Sequence, residues 1–235
     1  MKNHKTIGIL MLNIILFFSF STLLFSQKEE ILKVDSFNAI EIIGRIDVDL
    51  VSSKEEKLNI SYEGIDRDKI SITNQDNVLK IKIISTLNYK DIRVQIQIFY
   101  KDLKKIGAYS SAGISSNETL VFDNINFESE SGGDIALHLF ADTIISKCST
   151  KGILTLKGHA KSHNIKISSG SILSAYELDC DNYDVNIITK GIAKIKVKNF
   201  LTGKVNSGGS LFYNGNPVVQ SLDSTLGGKI EKVNL

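Results

Sequence analysis

His159 and His163 stand four residues apart, the spacing at which two imidazoles on one helical face can hold a zinc ion. The segment GHAKSHNIKI offers no helical pattern, however, and on a strand residues i and i+4 lie about 13 Å apart, too far for one metal. Asp179, Asp181 and Asp184 in LDCDNYD bring oxygen ligands of the kind calcium takes. The central glycine and closing glutamate of the helix-loop-helix calcium loop are missing, so a solvated acidic turn is expected and calcium is left open. Cys148 and Cys180 are an even pair, which in an exported protein invites a disulfide. Lys194, Lys196 and Lys198 alternate with Ala193, Ile195 and Val197, and Lys80 and Lys82 flank Ile81. Such lysines point outward together and could meet anionic glycans or lipid headgroups, although this alternation more commonly keeps a strand soluble.

Catalytic patterns are missing. The sequence holds no Gly-x-Ser-x-Gly nucleophile elbow and no phosphate loop. Its arginines are Arg45, Arg67 and Arg93, all in the first half of the chain, where they cannot join acids on later coils for polysaccharide lyase chemistry. No catalytic, cofactor-binding or metal-ligating residue is assigned.

The elements that must carry these residues are strands. One proline, no tryptophan and many β-branched and small polar residues favour extended structure. A glycine recurs at Gly113, Gly133, Gly152, Gly170, Gly191, Gly209 and Gly228, at spacings of 20, 19, 18, 21, 18 and 19. Ser111, Ser131, Thr150, Ser168, Thr189 and Ser207 sit two positions before the first six. After each glycine apolar residues alternate, as in Ile135, Leu137 and Leu139, and a second short alternation precedes the next, as in Ile165 and Ile167. Period two means strand, and two or three short strands in about 19 residues make one coil of a parallel β-solenoid. The glycines are expected to turn the chain, by positive φ or close approach, and to stack in one column. The hydroxyl residues beside them are expected to form a ladder capping the corners. Cys148 lies 15 residues after its glycine and Cys180 only 10 after its own, so the two thiols should lie about 16 Å apart around the coil and not pair.

Residues 27–105 read as alternating strands, in FNAIEI, RIDVDLV, KLNISYE, VLKIKII and IRVQIQIFY, forming a sheet or less regular coils that cover the solenoid's first edge. Residues 1–26 read as a signal peptide: Lys2, His4 and Lys5, then an uncharged apolar run from Ile7 to Phe25 and a small-residue exit. Residues 106–235 form the repeats, continuous with the region before them. Removing the two leader lysines from the 28 basic residues leaves 26 against 26 acids, a balance that argues against nucleic acid as a partner.

FNAIEIIGRIDVDLV, DNVLKIKI, the Tyr100-x-x-Leu103-x-x-Ile106 phrase, the serial Ser-x-Gly corners, and Tyr213-x-Gly215-x-Pro217 together resemble the putative auto-transporter adhesin family with a head GIN domain. The resemblance spans roughly residues 35–233. It implies an all-β, right-handed parallel β-helix-like solenoid in an envelope or secreted protein, with no catalytic residues attached. The expected function is a non-enzymatic, exported, adhesin-like solenoid presenting an extended surface to a glycan, a surface or an envelope protein. Membrane contact is expected only through an uncleaved leader, and the location is periplasm, outer surface or secreted. A periplasmic scaffold and a carbohydrate-active β-helix enzyme are the alternatives.

Overall fold

The computed structural model describes residues 28–84 and 91–234, so the expected leader lies outside the described residues. The first eight strands are β1 (Lys28–Lys33), β2 (Ala39–Ile43), β3 (Asp47–Ser52), β4 (Lys57–Glu63), β5 (Ile70–Gln75), β6 (Val78–Ile83), β7 (Arg93–Tyr100) and β8 (Lys105–Tyr109). Five long strands follow: β9 (Gly113–Glu130), β10 (Asp134–Ser149), β11 (Ile153–Ile167), β12 (Ile172–Ile187) and β13 (Ile192–Val205). The chain closes with β14 (Ser210–Asn214), β15 (Val219–Ser224) and β16 (Lys229–Lys232). Each long strand is one coil, paired in parallel with the coils before and after it. This is the parallel β-solenoid that the glycine period predicts.

The coil closes at a two-residue corner. Ser131 and Gly132 have φ of 54° and 77°, and the Gly133 N–H donates to the Glu130 carbonyl at 3.0 Å. Two consecutive left-handed residues under an i to i+3 bond are the type I′ pattern. It recurs at Thr150–Lys151, Ser169–Gly170, Thr189–Lys190, Ser207–Gly208 and Leu226–Gly227. Corners also bond to one another: the Gly132 N–H donates to the Thr150 carbonyl and the Lys151 N–H to the Ser169 carbonyl, both at 3.1 Å. Backbone amides therefore form the corner ladder that the sequence reading gave to hydroxyls.

The register corrects the expected glycine column. Gly133, Gly152, Gly191, Gly209 and Gly228 align, but Ser171 and Ala112 occupy the column where Gly170 and Gly113 were expected. Two kinds of glycine had been read as one. Gly133 and Gly152 are held by close approach, since a Cβ on either would lie 2.1 Å from a carbonyl oxygen of the preceding coil. Gly170 sits one position earlier, at φ +71°, where a Cβ would meet nothing within 4 Å. Ser171 fits the tight column, and its Oγ accepts the Gly152 N–H at 3.1 Å.

A second corner carries no glycine in the five long strands. Ile135, Leu137, Leu139 and Ala141 point inward, and then the alternation skips to Ile144 and Ser146. The same skip falls at Phe122 to Ile125, Ala160 to His163 and Cys180 to Tyr183, which stack in register. The inward columns so formed are the core.

The N-terminal strands are less regular coils, and they are not stacked in chain order. β2 lies parallel between β6 and β8, and β3 lies parallel between β7 and β9. The Tyr100, Leu103 and Ile106 side chains are buried where this layer meets the repeats. Antiparallel pairing then ends the stack, through β5 on β6 by way of the left-handed pair Asp76–Asn77, and through β4 on β7 and β1 on β4. The edge strand β1 carries Lys28, Glu29, Glu30 and Lys33, charges that discourage further pairing.

Gly170→Val should destabilise by about 1–2 kcal/mol in urea titration, because a β-branched residue is strained at positive φ. Gly170→Lys should cost much less, since Lys151 and Lys190 already hold that position in neighbouring coils. Gly152→Ala should cost about 1–3 kcal/mol through overpacking against the Ser129 carbonyl.

Candidate functional site

One outer face runs the length of the stack. Its first row reads Glu29, Ser61, Gln95, Asp47, Gly113, Asp134, Ile153, Ile172, Ile192, Ser210 and Lys229, one residue per strand from β1 through β4, β7, β3 and β9 to β16. The second row, two residues on, reads Ile31, Asn59, Gln97, Asp49, Ser115, Ala136, Thr155, Ser174, Lys194, Phe212 and Glu231. Strict alternation puts both rows on the solvent side, because their neighbours Val48, Ile60, Ile96, Ile135, Leu154, Leu173 and Ala193 are buried. The face changes along its length: acids and amides first, small and β-branched residues next, lysines toward the end.

At the acid and amide end the sheet forms a hollow of about 640 Å³ lined by Glu29, Ile31, Asp49, Asn59, Gln95 and Gln97 among others. Its side chains are linked across strands. Asn59 Nδ2 donates to Gln97 Oε1 at 3.4 Å, Gln97 Nε2 to Asp49 Oδ2 at 3.2 Å, and Asn117 Nδ2 to Asp49 Oδ1 at 3.3 Å. Sequence reasoning missed this group. Its signal was available: in RIDVDLV, KLNISYE and IRVQIQIFY the central outward positions are Asp, Asn, Ser and Gln, with Arg, Lys and Glu only at the ends of the segments.

A smaller groove of about 490 Å³ near the second corner holds His159, Asp179, Asp181, Lys196, Lys198 and Asn216. Here two of the sequence-predicted acids meet two of the predicted lysines. Asp179 pairs with Lys196 at 2.6 Å and Asp181 with Lys198 at 3.7 Å. Asp184 lies past the corner, in register with Asn164 and Thr202, so the three acids do not converge. No group of three or more metal-binding side chains occurs among the described residues.

His159 and His163 part company at the same corner, one outside and one inside. His163 is buried, with Nε2 2.7 Å from Ser146 Oγ and its ring 5.4 Å from that of Tyr183. Its Nδ1 has no hydrogen-bond partner, and the Tyr183 hydroxyl sits beside the Cys180 thiol without a hydrogen bond of normal geometry. Cys148 stacks in register with Ile167, whereas Cys180 stacks with Ala160 and Val197, so the thiols occupy different columns. Burial pushes both up to about 12.

On the opposite side of the coil charges alternate across strands. Lys80 pairs with Glu41 at 2.9 Å, and Lys105 bridges Glu41 at 3.3 Å and Glu128 at 3.0 Å. The Tyr109 ring lies over Gly107, and its hydroxyl donates to Glu128. Burial alone would raise the Glu128 carboxyl, but the Tyr109 hydroxyl and the Lys105 ammonium outweigh it and hold the group below its ordinary value. This ladder ties the N-terminal layer to the first repeat.

The sequence profile of the family described as "Putative auto-transporter adhesin, head GIN domain" matches residues 36–217. The chain belongs to that family. Solved structures agree on the fold. A putative adhesin from Bacteroides fragilis superposes with a TM-score of 0.74 at 20% identity, over 88% of this chain and 97% of the other. A putative adhesin from Parabacteroides merdae gives 0.68 at 20% identity, over 88% and 96%. A protein from Parabacteroides distasonis described as a putative lipid binding protein gives 0.67 at 16% identity, over 88% and 97%. No curated protein matches the chain by sequence. Within this head GIN family the chain is an adhesin-like β-solenoid.

Two measurements test the interior. Burial pushes the His163 imidazole down to about 3 from an ordinary value of 6.5. The unfolded chain therefore binds the extra proton between those values, and stability, whole above pH 6.5, falls as pH drops toward 3. At pH 4.5 the loss from this group should be about 2–3 kcal/mol. His163→Phe should remove that part of the loss, read as the difference between urea titrations at pH 7 and pH 4.5. Alkylation in denaturant without reductant should label both Cys148 and Cys180, while native alkylation at pH 8 is slow; a mass short of two labels after denaturation would mean that the columns are misassigned.

Proposed function

We propose that this protein is an exported, non-enzymatic binding protein that holds its ligand along the outer face of the continuous sheet. The observation that carries this reading is the pair of in-register rows running from β1 to β16, a continuous surface on which each coil adds a few side chains. Such a surface binds by summing weak contacts, so strength comes from multivalency more than from one deep pocket. Several acids of the repeats support the same reading, because lysines of adjacent coils engage them: Asp142 with Lys161 at 2.7 Å, and Glu177 with Lys157 at 2.9 Å. Each such pair neutralises an acid that general acid or base chemistry would need. The basic, largely apolar start of the sequence supports export, to the periplasm, the outer surface or the medium. A glycan, or a glycan-bearing component of a cell surface, is the partner class that fits.

The test is incubation with envelope polysaccharides, read in the same samples for retention and for new chain ends. Retention without cleavage is expected, weakening stepwise as outward residues of successive coils are replaced. Turnover abolished by one Asp or His substitution would overturn the reading. Intact mass of the exported form should show loss of a leader ending near residue 26.

A further inference from the structure

We propose that the hollow over β4, β7, β3 and β9 is a binding site for the hydroxyl groups of an uncharged oligosaccharide. The proposal rests on the reading that the outer face binds glycan, and it names the place and the chemistry. The argument starts at Asp49. A carboxylate accepts hydrogen bonds and donates none, so both side chains that touch it must donate. Gln97 does so through Nε2 and Asn117 through Nδ2. With its amino group committed to Asp49, Gln97 turns Oε1 toward β4, where it accepts from Asn59 Nδ2. Asn59 must then turn Oδ1 onward, away from Gln97. Reversing Asn59 would set its oxygen against Gln97 Oε1, and reversing Gln97 as well would set an oxygen against Asp49. One carboxylate thus orients three amides across four strands.

The relay starts from an acceptor. Asp49, with the carboxylates of Glu29 and Asp47 beside it in the lining, takes hydrogen bonds and gives none, so an occupant of the hollow must donate. It must also tolerate negative charge, because Glu29, Asp47 and Asp49 line the hollow without a lysine or arginine, while Glu30 is taken up by Arg67. That composition disfavours anions such as uronate chains. A neutral sugar supplies donors and acceptors together, matching the Gln95 and Gln97 amides, which both give and take. Ile31, 72% exposed and next to Asn59 in the row, offers an apolar surface for the C–H side of a pyranose ring. The hollow's volume of about 640 Å³ is within the range of small-molecule sites.

Binding of linear hexasaccharides of glucose, mannose and galactose, and of hexagalacturonate, would be measured by calorimetry with the full mature chain. At least one neutral hexasaccharide should bind, with hexagalacturonate at least tenfold weaker. Asp49→Asn keeps the side chain's size but removes the acceptor-only end of the relay. It should weaken the neutral ligand at least tenfold while the melting temperature stays within a few degrees. Gln97→Ala should weaken binding similarly, whereas Lys166→Ala, exposed on β11 past the second corner and outside both rows, should leave it unchanged. Native affinity in Asp49→Asn, or uronate bound as tightly as neutral sugar, would overturn the assignment. If the native chain still retains envelope polysaccharide in that event, only this site falls. If it retains none, the broader reading falls with it.

Discussion

The fold depends on one constraint: once per coil the chain must place two consecutive residues in the left-handed region and return on itself at strand spacing. Gly takes many of those positions with little strain, Ser and the β-branched Thr150 and Thr189 hold the first of the two against strain, and Lys151 and Lys190 show that a long side chain is tolerated when it points to solvent. The next residue comes within contact of the previous coil's backbone, which is why Gly133 and Gly152 carry no Cβ. Corner amides then bond from coil to coil, so each turn templates the next. Parallel register follows, and with it every inward and outward column.

A stack built this way has two open ends, and the ends are managed differently. At the N-terminal end antiparallel strands close the sheet, and the charged β1 makes its edge. The alternating Lys80, Glu41, Lys105 and Glu128 side chains fasten that layer to the repeats. Insertion of the β2–β3 segment between later strands ties this end together further, since it cannot leave without breaking parallel pairs on both sides. At the C-terminal end β15 and β16 are largely exposed and hold their place through β13 and β14.

Function follows from the same periodicity. A column of inward residues pays the hydrophobic part of stability, leaving the outward rows free to vary in chemistry along the axis. The chain uses that freedom: acids and amides over the antiparallel strands, isoleucines in the middle, lysines over the last coils. The pre-ordered amides at one end of this gradient are what set that region apart from an ordinary solvated strand. The buried Ser146, His163 and Tyr183 are a different matter. They sit inside the coil, sealed from ligand, where His163 takes a partner from the adjacent column and is held neutral by its surroundings.

The sequence by itself determined the all-β class, the coil length, the inward and outward alternation and the separation of Cys148 from Cys180, because each of these depends only on period two and on the recurrence of a corner. Family membership was also legible, from phrases such as Tyr100-x-x-Leu103-x-x-Ile106. Only the tertiary structure decided which residues share a column. Gly113 and Gly170 look like the other glycines in a one-dimensional alignment, but Gly170 falls one position before the close-approach column, at positive φ, and Gly113 one position after it, and only pairing between coils fixes those shifts. The second corner of the long strands has no marker residue, so the opposite fates of His159 and His163 and the parting of Asp184 from Asp179 and Asp181 were hidden. Asp49, Asn59, Gln97 and Asn117 come from four segments that lie up to 68 residues apart in the chain. Their contact arises because β3 slots between strands that follow it in sequence, and no local pattern encodes that order.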